Sequence, residues 1–473
     1  MYSSCVPNRF LLVCSVLLAS GSLGFAKENI MLVQNSKTNC VIVLSQGCPD
    51  QVRKSAETLV EYVQKSTGAT MAILNSPSSD VQKADARIWL GANLYATTTL
   101  KKVGSMHDDG FVIAFPTGKD IVIAARTSWG IEFGVYEFLE RYVGIRWLYP
   151  GANGEYIPRL TNLSIPDEEV KQEPGFTSRL VSGLKGPEQD LWARRNRIHS
   201  AIAFHHNMTN IIPPLVYGKT NPEFYAMQKG KRLIPGVRDG AHWQPCFSSA
   251  SFVDTAISQI DRYFATHEGV MSFSLGINDG GSPCECEACL KAVRDEKNIF
   301  GHANYSNIYF RWVDKVVSGV LKSFPGRSFG CLAYESVFSP PDTAVDSSVI
   351  PFVTYETAKL VSPVNQAEIN RVLDNWSKVS HQLGWYDYLY GTPYLLPRIY
   401  PHTLAQSYSY LLSKGVRAMY AEAYPNIGEG PKLYLALKLM WNPHLNVDST
   451  LQDWYISAVG GQSALYLEQY FIL

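Results

Sequence analysis

Short apolar runs and amphipathic helical stretches alternate along most of this chain. In its first third, the hydrophobic pattern predicts strands at residues 41–44, 71–74, 87–90, 110–115 and 120–125. Apolar residues at helical spacing predict one helix that starts with Asp50 as its N-cap and ends at Gly68, and a second over residues 129–142. We therefore expect a small α/β unit here. Few acidic or histidine residues follow its strands, so we expect it to have a supporting role.

The same alternation continues beyond residue 175 with longer helices between the strands. Strands are predicted at residues 177–181, 200–204, 271–277, 328–334, 351–355, 383–386 and 416–421. Helices are predicted at residues 252–266, 305–323, 366–380, 403–412 and 431–441. Repeated strand-then-helix units are typical of a parallel sheet and favour a (β/α)8-type (TIM-like) barrel. Seven strands are found, so either the barrel is incomplete or a further strand lies within the polar stretch 221–243.

The beginning of the chain has the pattern of a secretory signal peptide. Arg9 precedes a short apolar core, and small residues ending at Ala26 are suited to cleavage. The apolar core is too short to span a bilayer comfortably. We therefore expect residues 1–26 to be removed from a protein that is exported to the periplasm or the cell exterior, without a membrane span.

A charged connector bounded by prolines, residues 166–174, marks a change between the two patterns. Because such segments commonly separate compact units, we expect an N-terminal α/β domain at residues 27–168. A barrel domain is expected at residues 169–473.

Composition excludes several classes of function. The 473 residues carry 42 basic and 42 acidic side chains, so the formal net charge is zero, and no long run of one sign occurs. Nucleic-acid binding and attachment to acidic membranes both call for clustered basic residues, so neither is expected. The chain lacks the phosphate-binding, serine-nucleophile and zinc-hydrolase motifs, and we expect no cofactor.

Polar and aromatic side chains follow the predicted barrel strands where each strand ends. In chain order they are His205, His206, Asn207, Asn278, Asp279, Tyr334, Glu335, Glu356, Trp385, Tyr386, Asp387 and Glu422. In a barrel of parallel strands, the C-terminal strand ends meet at one face, where active sites form. The pattern therefore predicts a cleft rich in carboxylates and lined by aromatic rings.

Such a cleft suits the hydrolysis of glycosidic bonds. That reaction needs a carboxylic acid to protonate the leaving oxygen and a second group to stabilise or attack the oxocarbenium-like centre. The same residues could instead bind a catalytic metal, with His205 and His206 as ligands beside the acids. The chain has no recognised ligand spacing that favours this alternative. The two histidines could equally contact substrate or bond loop backbone.

The end of the first unit resembles a known accessory domain. The segment Gly130-Ile-Glu-Phe-Gly134 continues to Trp147-Leu-Tyr-Pro150-Gly151 and then to Gly154-Glu-Tyr-Ile-Pro158. It is similar to the domain that precedes the catalytic barrel in bacterial α-glucuronidases (glycoside hydrolase family 67) and β-hexosaminidases (family 20). The resemblance implies an architecture and leaves the reaction open.

The barrel part resembles a second bacterial family. The segments that carry the resemblance are Phe224-Tyr-Ala-Met-Gln-Lys-Gly230, Cys246-Phe-Ser, Asn278-Asp279-Gly-Gly with its C-x-C-x-x-C sequence, Ala333-Tyr334 with Pro340-Pro341, and Ala421-Glu422-Ala-Tyr with Gly430-Pro-Lys-Leu-Tyr434. The family was once known only as a domain of unknown function and now includes glycoside hydrolase family 163. This resemblance implies endo-β-N-acetylglucosaminidase action on complex N-glycans, which makes a glycan the expected partner.

Hexosaminidase-like families offer a template for the roles of individual residues. In them a strand ends in an Asp-Glu pair, where the Glu is the acid and the Asp orients the N-acetyl group that acts as nucleophile. By analogy, Asp279 would be the general acid, and Asn278 would hydrogen-bond the acetamido group. Asn cannot supply negative charge, so Glu422 is expected to do so, with Glu335 or Glu356 next. The remaining strand-end residues are expected to contact the sugar.

Seven cysteines remain after the signal peptide, and three of them follow Asp279 closely. Cys284, Cys286 and Cys289, together with Cys246, could form a structural zinc site. Disulfides are the commoner outcome in an exported protein and are the preferred expectation. Either arrangement would hold the loop beside Asp279.

Three functions stay open at this stage. The favoured one is an exported glycoside hydrolase with endo-β-N-acetylglucosaminidase-like activity. The first alternative is an α-glucuronidase-like exo-glycosidase, which the N-terminal resemblance also allows. The second alternative is a carbohydrate-binding protein on a barrel that has lost catalysis, favoured by Asn278 at the polarising position and by the missing strand.

Overall fold

The computed structural model describes residues 29–91, 95, 101–389 and 398–472. The expected signal peptide, residues 1–26, lies outside the described residues. The described residues form two six-stranded sheets, one in each part of the chain, together with smaller two-stranded sheets.

Within the described residues, the first part of the chain includes ten strands and three helices. They are β1 (Ile30–Val33), β2 (Cys40–Ser45), α1 (Asp50–Thr67), β3 (Ala72–Ser76), α2 (Ser79–Lys83), β4 (Ala86–Leu90), β5 (Phe111–Thr117), β6 (Asp120–Ala125), α3 (Ser128–Phe138), β7 (Arg146–Trp147), β8 (Glu155–Tyr156), β9 (Leu163–Ile165) and β10 (Val170–Gln172). The predicted strands and the two longer helices are confirmed. Asp50 is the first residue of α1 rather than its cap, and Gly68 ends this helix with φ of 79°.

The first sheet has the strand order β10-β5-β6-β4-β2-β3 and mixed direction. β2 is parallel to β3 and β4, whereas β5 is antiparallel to β6 and β10. The predicted connector 166–174 therefore supplies an edge strand of this sheet. The chain leaves the first sheet after Gln172, a few residues beyond the expected boundary at residue 168.

The second part of the chain alternates strands and helices. Its elements are β11 (Ser178–Ser182), α4 (Pro187–Arg195), α5 (Met208–Ile211), α6 (Pro214–Tyr217), β12 (Met227–Gln228), β13 (Lys231–Arg232), α7 (Ala250–Thr266), β14 (Ser272–Ser274), α8 (Glu287–Leu290), β15 (Arg294–Lys297), β16 (Ala303–Asn304), α9 (Ser306–Ser323), β17 (Ser328–Ala333), β18 (Val349–Thr354), α10 (Pro363–Val379), β19 (Leu383–Tyr388), α11 (Pro401–Ser413), β20 (Val416–Glu422), α12 (Lys432–Trp441), α13 (Val447–Val459) and α14 (Gly461–Ile472). All five predicted helices of this part are confirmed.

The second sheet is a curled, parallel sheet with the order β11-β20-β19-β18-β17-β14. Its curvature and its strand–helix alternation make it an incomplete TIM-like barrel, as the sequence predicted. The stretch 221–243, considered for a missing strand, contributes only the short hairpin of β12 and β13 in the described structure.

The strand predicted at residues 200–204 does not form. The segment 199–207 instead runs irregularly between the two edge strands of the curled sheet. Arg179 of β11 donates its backbone N–H to the carbonyl of His199, and Asn207 donates its own to the carbonyl of Gly276, beyond β14. The edges of the barrel are therefore joined by scattered hydrogen bonds rather than by a regular ladder.

Glycines allow this segment to approach so closely. A Cβ atom on Gly276 would lie 2.5 Å from the carbonyl oxygens of Phe204 and His205, and one on Gly330 would lie 2.4 Å from that of Ala203. The approach places the ring of Phe204 inside the barrel, stacked on Phe352 with ring centroids 3.8 Å apart. Non-local contacts of this kind override the strand propensity of residues 200–204.

Substituting Gly276→Ala should destabilise the protein by about 1–3 kcal/mol, because the added methyl group meets backbone atoms that cannot rotate away. Urea denaturation followed by circular dichroism measures the change. Gly118→Ala is the matched control, since a Cβ atom there meets no atom within 4 Å. Equal denaturation midpoints for the two variants would contradict this account of the close approach.

Charged side chains join the two parts of the chain. Arg179 and Asp109 are both fully buried, with Nη2 and Oδ2 2.6 Å apart. Arg197 makes ion pairs to Glu137 at 2.8 Å and to Glu140 at 2.6 Å. These pairs fix the orientation of the barrel against the first sheet. Among the described helices, none combines the length and apolarity needed to cross a membrane.

Candidate active site

The C-terminal ends of the barrel strands surround a small polar pocket of about 310 Å³. We call it the carboxylate pocket. Its lining residues are His206, Asp279, Leu332, Tyr334, Thr354, Tyr386, Tyr388 and Glu422. The structure thus brings together Asp279 and Glu422, the two residues that the sequence put forward for catalysis, although they are 143 positions apart in the chain (422 − 279).

Asp279 lies five residues beyond β14, in the loop that leaves the strand. Two interactions hold the backbone there: Gln244 donates its side-chain N–H groups to the carbonyls of Asn278 and Gly280, both at 2.8 Å. The hydroxyl of Tyr334, which follows β17, donates to Asp279 Oδ1 at 3.3 Å. The carboxylate is therefore oriented from two neighbouring strand ends.

Glu422 is the last residue of β20, and Tyr386 belongs to the neighbouring strand β19. The hydroxyl of Tyr386 donates a hydrogen bond to Glu422 Oε1. Burial first, and this hydrogen bond second, raise the pKa of Tyr386 well above its ordinary value. The phenol therefore stays protonated and remains a hydrogen-bond donor to Glu422.

His206 contributes a ring whose tautomer is set by a hydrogen bond to its neighbour. Its Nδ1 lies 2.5 Å from the carbonyl oxygen of Ile277. A carbonyl oxygen only accepts, so Nδ1 carries the hydrogen, and in the neutral ring Nε2 is left as an acceptor. His206 thus adds a polar group to the pocket wall.

A second cavity of about 390 Å³ adjoins the first, and we call it the side pocket. Its lining residues are Phe300, His302, Tyr334, Glu335, Thr354, Tyr355, Glu356, Lys359 and Tyr388. Three of them, Tyr334, Thr354 and Tyr388, line both cavities, so the two lie side by side, and we call them together the cleft. Aromatic rings beside polar groups are the surface that a sugar ring requires.

Two carboxylates of the side pocket occupy different settings. Glu335 has φ of 44°, a left-handed conformation that is uncommon for a residue with a side chain and that is concentrated at functional sites. Glu356 pairs with Lys359 Nζ and Arg398 Nη1, both at 3.4 Å. Glu356 is thus neutralised by cations, which makes it a weaker candidate than Glu422 for the charged partner.

Three residues that were predicted to contact substrate instead contact other groups of the protein. Asn278 is fully buried, and its Nδ2 donates to the carbonyl of Trp243 at 3.0 Å. Asn207 donates to the carbonyl of Ser274 at 2.9 Å and so ties the segment 199–207 to β14. The ring of His205 packs edge-on against Tyr420 and does not line the carboxylate pocket. These three side chains support the site rather than line it.

Trp385 and Asp387 are also buried away from the cleft. Asp387 Oδ1 accepts the backbone N–H groups of Thr357 and Tyr388, each at 2.8 Å, and burial raises the pKa of Asp387 to about 6. Side chains alternate between the two faces of a strand, so residues 385 and 387 face opposite to Tyr386. The structure therefore places the side chains of Trp385 and Asp387, which the sequence put forward as substrate contacts, away from both cavities.

The same alternation identifies residues that the sequence reasoning missed. Tyr388 is two positions after Tyr386 on β19 and lines both cavities. Thr354, the last residue of β18, likewise lines both. Counting by two from Tyr386 would have found Tyr388. Phe300 and His302 come from the loop between β15 and β16, and no periodic signal marks them.

Four cysteine sulfurs lie together behind Asp279. The Sγ atoms of Cys246, Cys284, Cys286 and Cys289 all lie within 4.8 Å of one another. None of the cysteines in the described part of the chain forms a disulfide. The structure therefore lacks, among these residues, the disulfides that were expected for an exported protein. These four residues are able to hold a metal ion.

A family model for a domain of unknown function, DUF4838, matches residues 149–471. No curated protein matches the chain. A solved glycoside hydrolase family 115 4-O-methyl-α-glucuronidase with specificity for decorated arabinogalactans is similar, with a TM-score of 0.54 and 14% identity. The similarity covers 92% of this chain and 61% of that one, so this chain spans about three fifths of the length of the glucuronidase. At this identity, the likeness shows a shared fold.

Two further solved structures match with lower scores. One is a mutant β-hexosaminidase of Streptomyces plicatus in complex with its product N-acetylglucosamine, with a TM-score of 0.48, 14% identity and 92% of each chain covered. The other is a family 89 glycoside hydrolase of Clostridium perfringens in complex with N-acetylglucosamine-α-1,4-galactose. Its TM-score is 0.49 and its identity 9%, with 86% of this chain and 50% of that one covered.

Proposed function

This chain belongs to the DUF4838 family, and we propose that it is an exported glycoside hydrolase acting on glycans that contain β-linked N-acetylglucosamine. One observation carries the proposal: two carboxylates at different strand ends, Asp279 and Glu422, line the same pocket and are each held by a tyrosine hydroxyl. Paired carboxylates in a cleft lined by aromatic rings are the groups that hydrolysis of a glycosidic bond needs.

In this proposal the two carboxylates have different tasks. Asp279 protonates the oxygen of the leaving sugar, and the hydroxyl of Tyr334 orients its carboxyl group through a hydrogen bond of 3.3 Å. Glu422, which accepts a hydrogen bond from Tyr386, stabilises the positive charge that develops at the anomeric carbon. This assignment takes the acid from the loop after β14 and the charged partner from the end of β20, two strands that are not neighbours in the sheet.

Recognition of an acetamido group requires a new candidate, because Asn278 is occupied by the carbonyl of Trp243. His206 lines the carboxylate pocket, and in its neutral ring Nε2 accepts a hydrogen bond. The N–H of a substrate acetamide is a matching donor. We assign this contact to His206, and Asn278 then acts by holding the loop that carries Asp279.

Endo action on complex N-glycans, as in glycoside hydrolase family 163, is the finer form of the proposal. The two adjoining cavities support it, because an endo-acting enzyme must accommodate sugars on both sides of the cleaved bond. The test is to incubate the purified protein with a complex N-glycoprotein and to identify released glycans by mass spectrometry. Glycans that end in a single reducing N-acetylglucosamine are the expected product.

A second candidate is the removal of uronic acid from a polysaccharide. Lys359 lines the side pocket, where a substrate carboxylate would compete with Glu356 for its charge, and the similar family 115 enzyme is a 4-O-methyl-α-glucuronidase. Release of uronic acid from xylan fragments or decorated arabinogalactan, with no release from the N-glycoprotein, would favour this candidate. Binding of glycans without any product would favour a carbohydrate-binding protein.

A further inference from the structure

The four clustered cysteines lie in a place where two loops meet behind the proposed acid. Cys246 follows the segment that contains Trp243 and Gln244, whereas the other three cysteines follow Asp279 in the sequence. Cys246, Cys284 and Cys289 are each at most 2% exposed, and they pack among Ala226, Ala292 and Ile308. These three cysteines are therefore shielded from solvent by a small apolar shell, and Cys286 is half-buried.

The distances between the sulfurs match a metal centre better than a disulfide. Cys246 Sγ lies 3.7 Å from Cys286 Sγ and 4.0 Å from Cys289 Sγ. A tetrahedral zinc ion with Zn–S bonds of about 2.3 Å holds its sulfurs about 3.8 Å apart. A disulfide requires about 2.05 Å between bonded sulfurs. All four sulfurs also lie within 4.8 Å of one another, so no pair is set apart from the rest.

Hydrogen-bond donors converge on the sulfurs. The backbone N–H of Met227 donates to Cys284 Sγ at 3.2 Å, and the guanidinium of Arg232 approaches the same atom at 3.8 Å. The hydroxyl of Ser248 lies 3.2 Å from Cys246 Sγ and 3.3 Å from Cys286 Sγ. Four thiolates around a divalent ion keep a net negative charge, and donors and a cation in the surrounding shell offset that charge.

From these observations we propose that Cys246, Cys284, Cys286 and Cys289 bind one structural zinc ion. The ligand set consists of sulfur alone, which selects zinc over magnesium or calcium. Four protein ligands leave no open coordination position, so the ion does not bind substrate. The proposal is independent of the reaction that the cleft performs, because none of the four cysteines lines either cavity.

The centre has a structural consequence for the neighbouring loop. Gln244 bonds the carbonyls on both sides of Asp279, and Cys246 lies two residues beyond Gln244. The ion would therefore clamp the two segments that hold Asp279 to each other. Its removal should loosen the loop from residue 279 to residue 290 and leave the first sheet unchanged.

Metal analysis of the purified protein by plasma mass spectrometry tests the proposal. We expect about one zinc ion per chain in the unaltered protein. The zinc content of the Cys246→Ser and Cys289→Ser variants should be lower by about tenfold or more. Cys48→Ser is the control, since Cys48 lies outside the cluster and should leave the zinc content unchanged. Zinc retained in both cluster variants, or iron in place of zinc, would overturn the proposal.

Two measurements on the unaltered protein keep the test valid if a variant does not fold. Replacement of zinc by cobalt should produce the visible absorption bands of a tetrahedral cobalt–thiolate complex. Chelation should increase hydrogen exchange in residues 279–290 without increasing it in β2, β4 and β6. Intact mass under non-reducing conditions decides the alternative: loss of two hydrogen atoms for each bond between these cysteines, with no bound metal, would show disulfides and overturn the assignment.

Discussion

Substituting Asp279→Asn or Glu422→Gln should each lower kcat/KM on the cleaved glycan by about 10²–10⁴-fold or more. Asn cannot donate the proton that the leaving oxygen needs, and Gln cannot balance the positive charge that develops on the sugar. Both side chains line the carboxylate pocket, and each accepts a hydrogen bond from a tyrosine that its amide counterpart can still accept. The substitutions thus alter chemistry more than packing.

The effect must be separated from damage to the fold. Asp342→Asn and Glu287→Gln make the same chemical changes at side chains that are 60% and 82% exposed and that line neither cavity. Their activity should equal that of the unaltered protein. All four variants should give the same circular dichroism spectrum. Their free energies of unfolding should agree within about 1 kcal/mol. Near-full activity in both pocket variants would rule out the proposed pair.

The second large effect concerns the junction between the two parts of the chain. Asp109→Asn should lower the free energy of unfolding by about 3–5 kcal/mol, because it leaves the buried guanidinium of Arg179 without a counter-charge. Asp109 also accepts a hydrogen bond from His199 Nδ1 at 2.8 Å, at the start of the segment 199–207. Burial alone would raise the pKa of Asp109, yet His199 and Arg179 hold it below its ordinary value.

The adjacent residue supplies a matched control for this prediction. Asp108 pairs with Arg126 at 3.6 Å, but the two side chains are 60% and 48% exposed. Exposed ion pairs contribute at most about 1 kcal/mol, so Asp108→Asn should change stability little. Urea denaturation of the two variants in parallel measures the difference. Equal losses would mean that burial does not set the strength of the Arg179–Asp109 pair.

Much of the barrel and its cleft could be predicted from local sequence. Apolar runs located six of the seven predicted barrel strands, since a strand buried on both faces must be apolar along its length. The C-terminal ends of parallel strands share one edge, so strand order and direction were enough to expect Asp279, Tyr334, Tyr386 and Glu422 at a common cleft. Side chains alternate between the two faces of a strand, so Tyr388 lies on the same face of β19 as Tyr386 and lines that cleft, whereas Trp385 and Asp387 lie on the other face.

The other features were decided by contacts between residues far apart in the chain. The carbonyl groups of segment 199–207 lie against Gly276 and Gly330. Because of these contacts the segment is irregular, although its β propensity favours a strand at residues 200–204. The carbonyl of Trp243 binds Asn278, which removes its amide from the cleft. The separation of the cysteine sulfurs depends on how two loops fold against each other. Local sequence determined the elements and which residues end them, because periodicity and strand direction act over short distances. Tertiary structure decided the partner of each polar group, because partners are chosen by proximity in space.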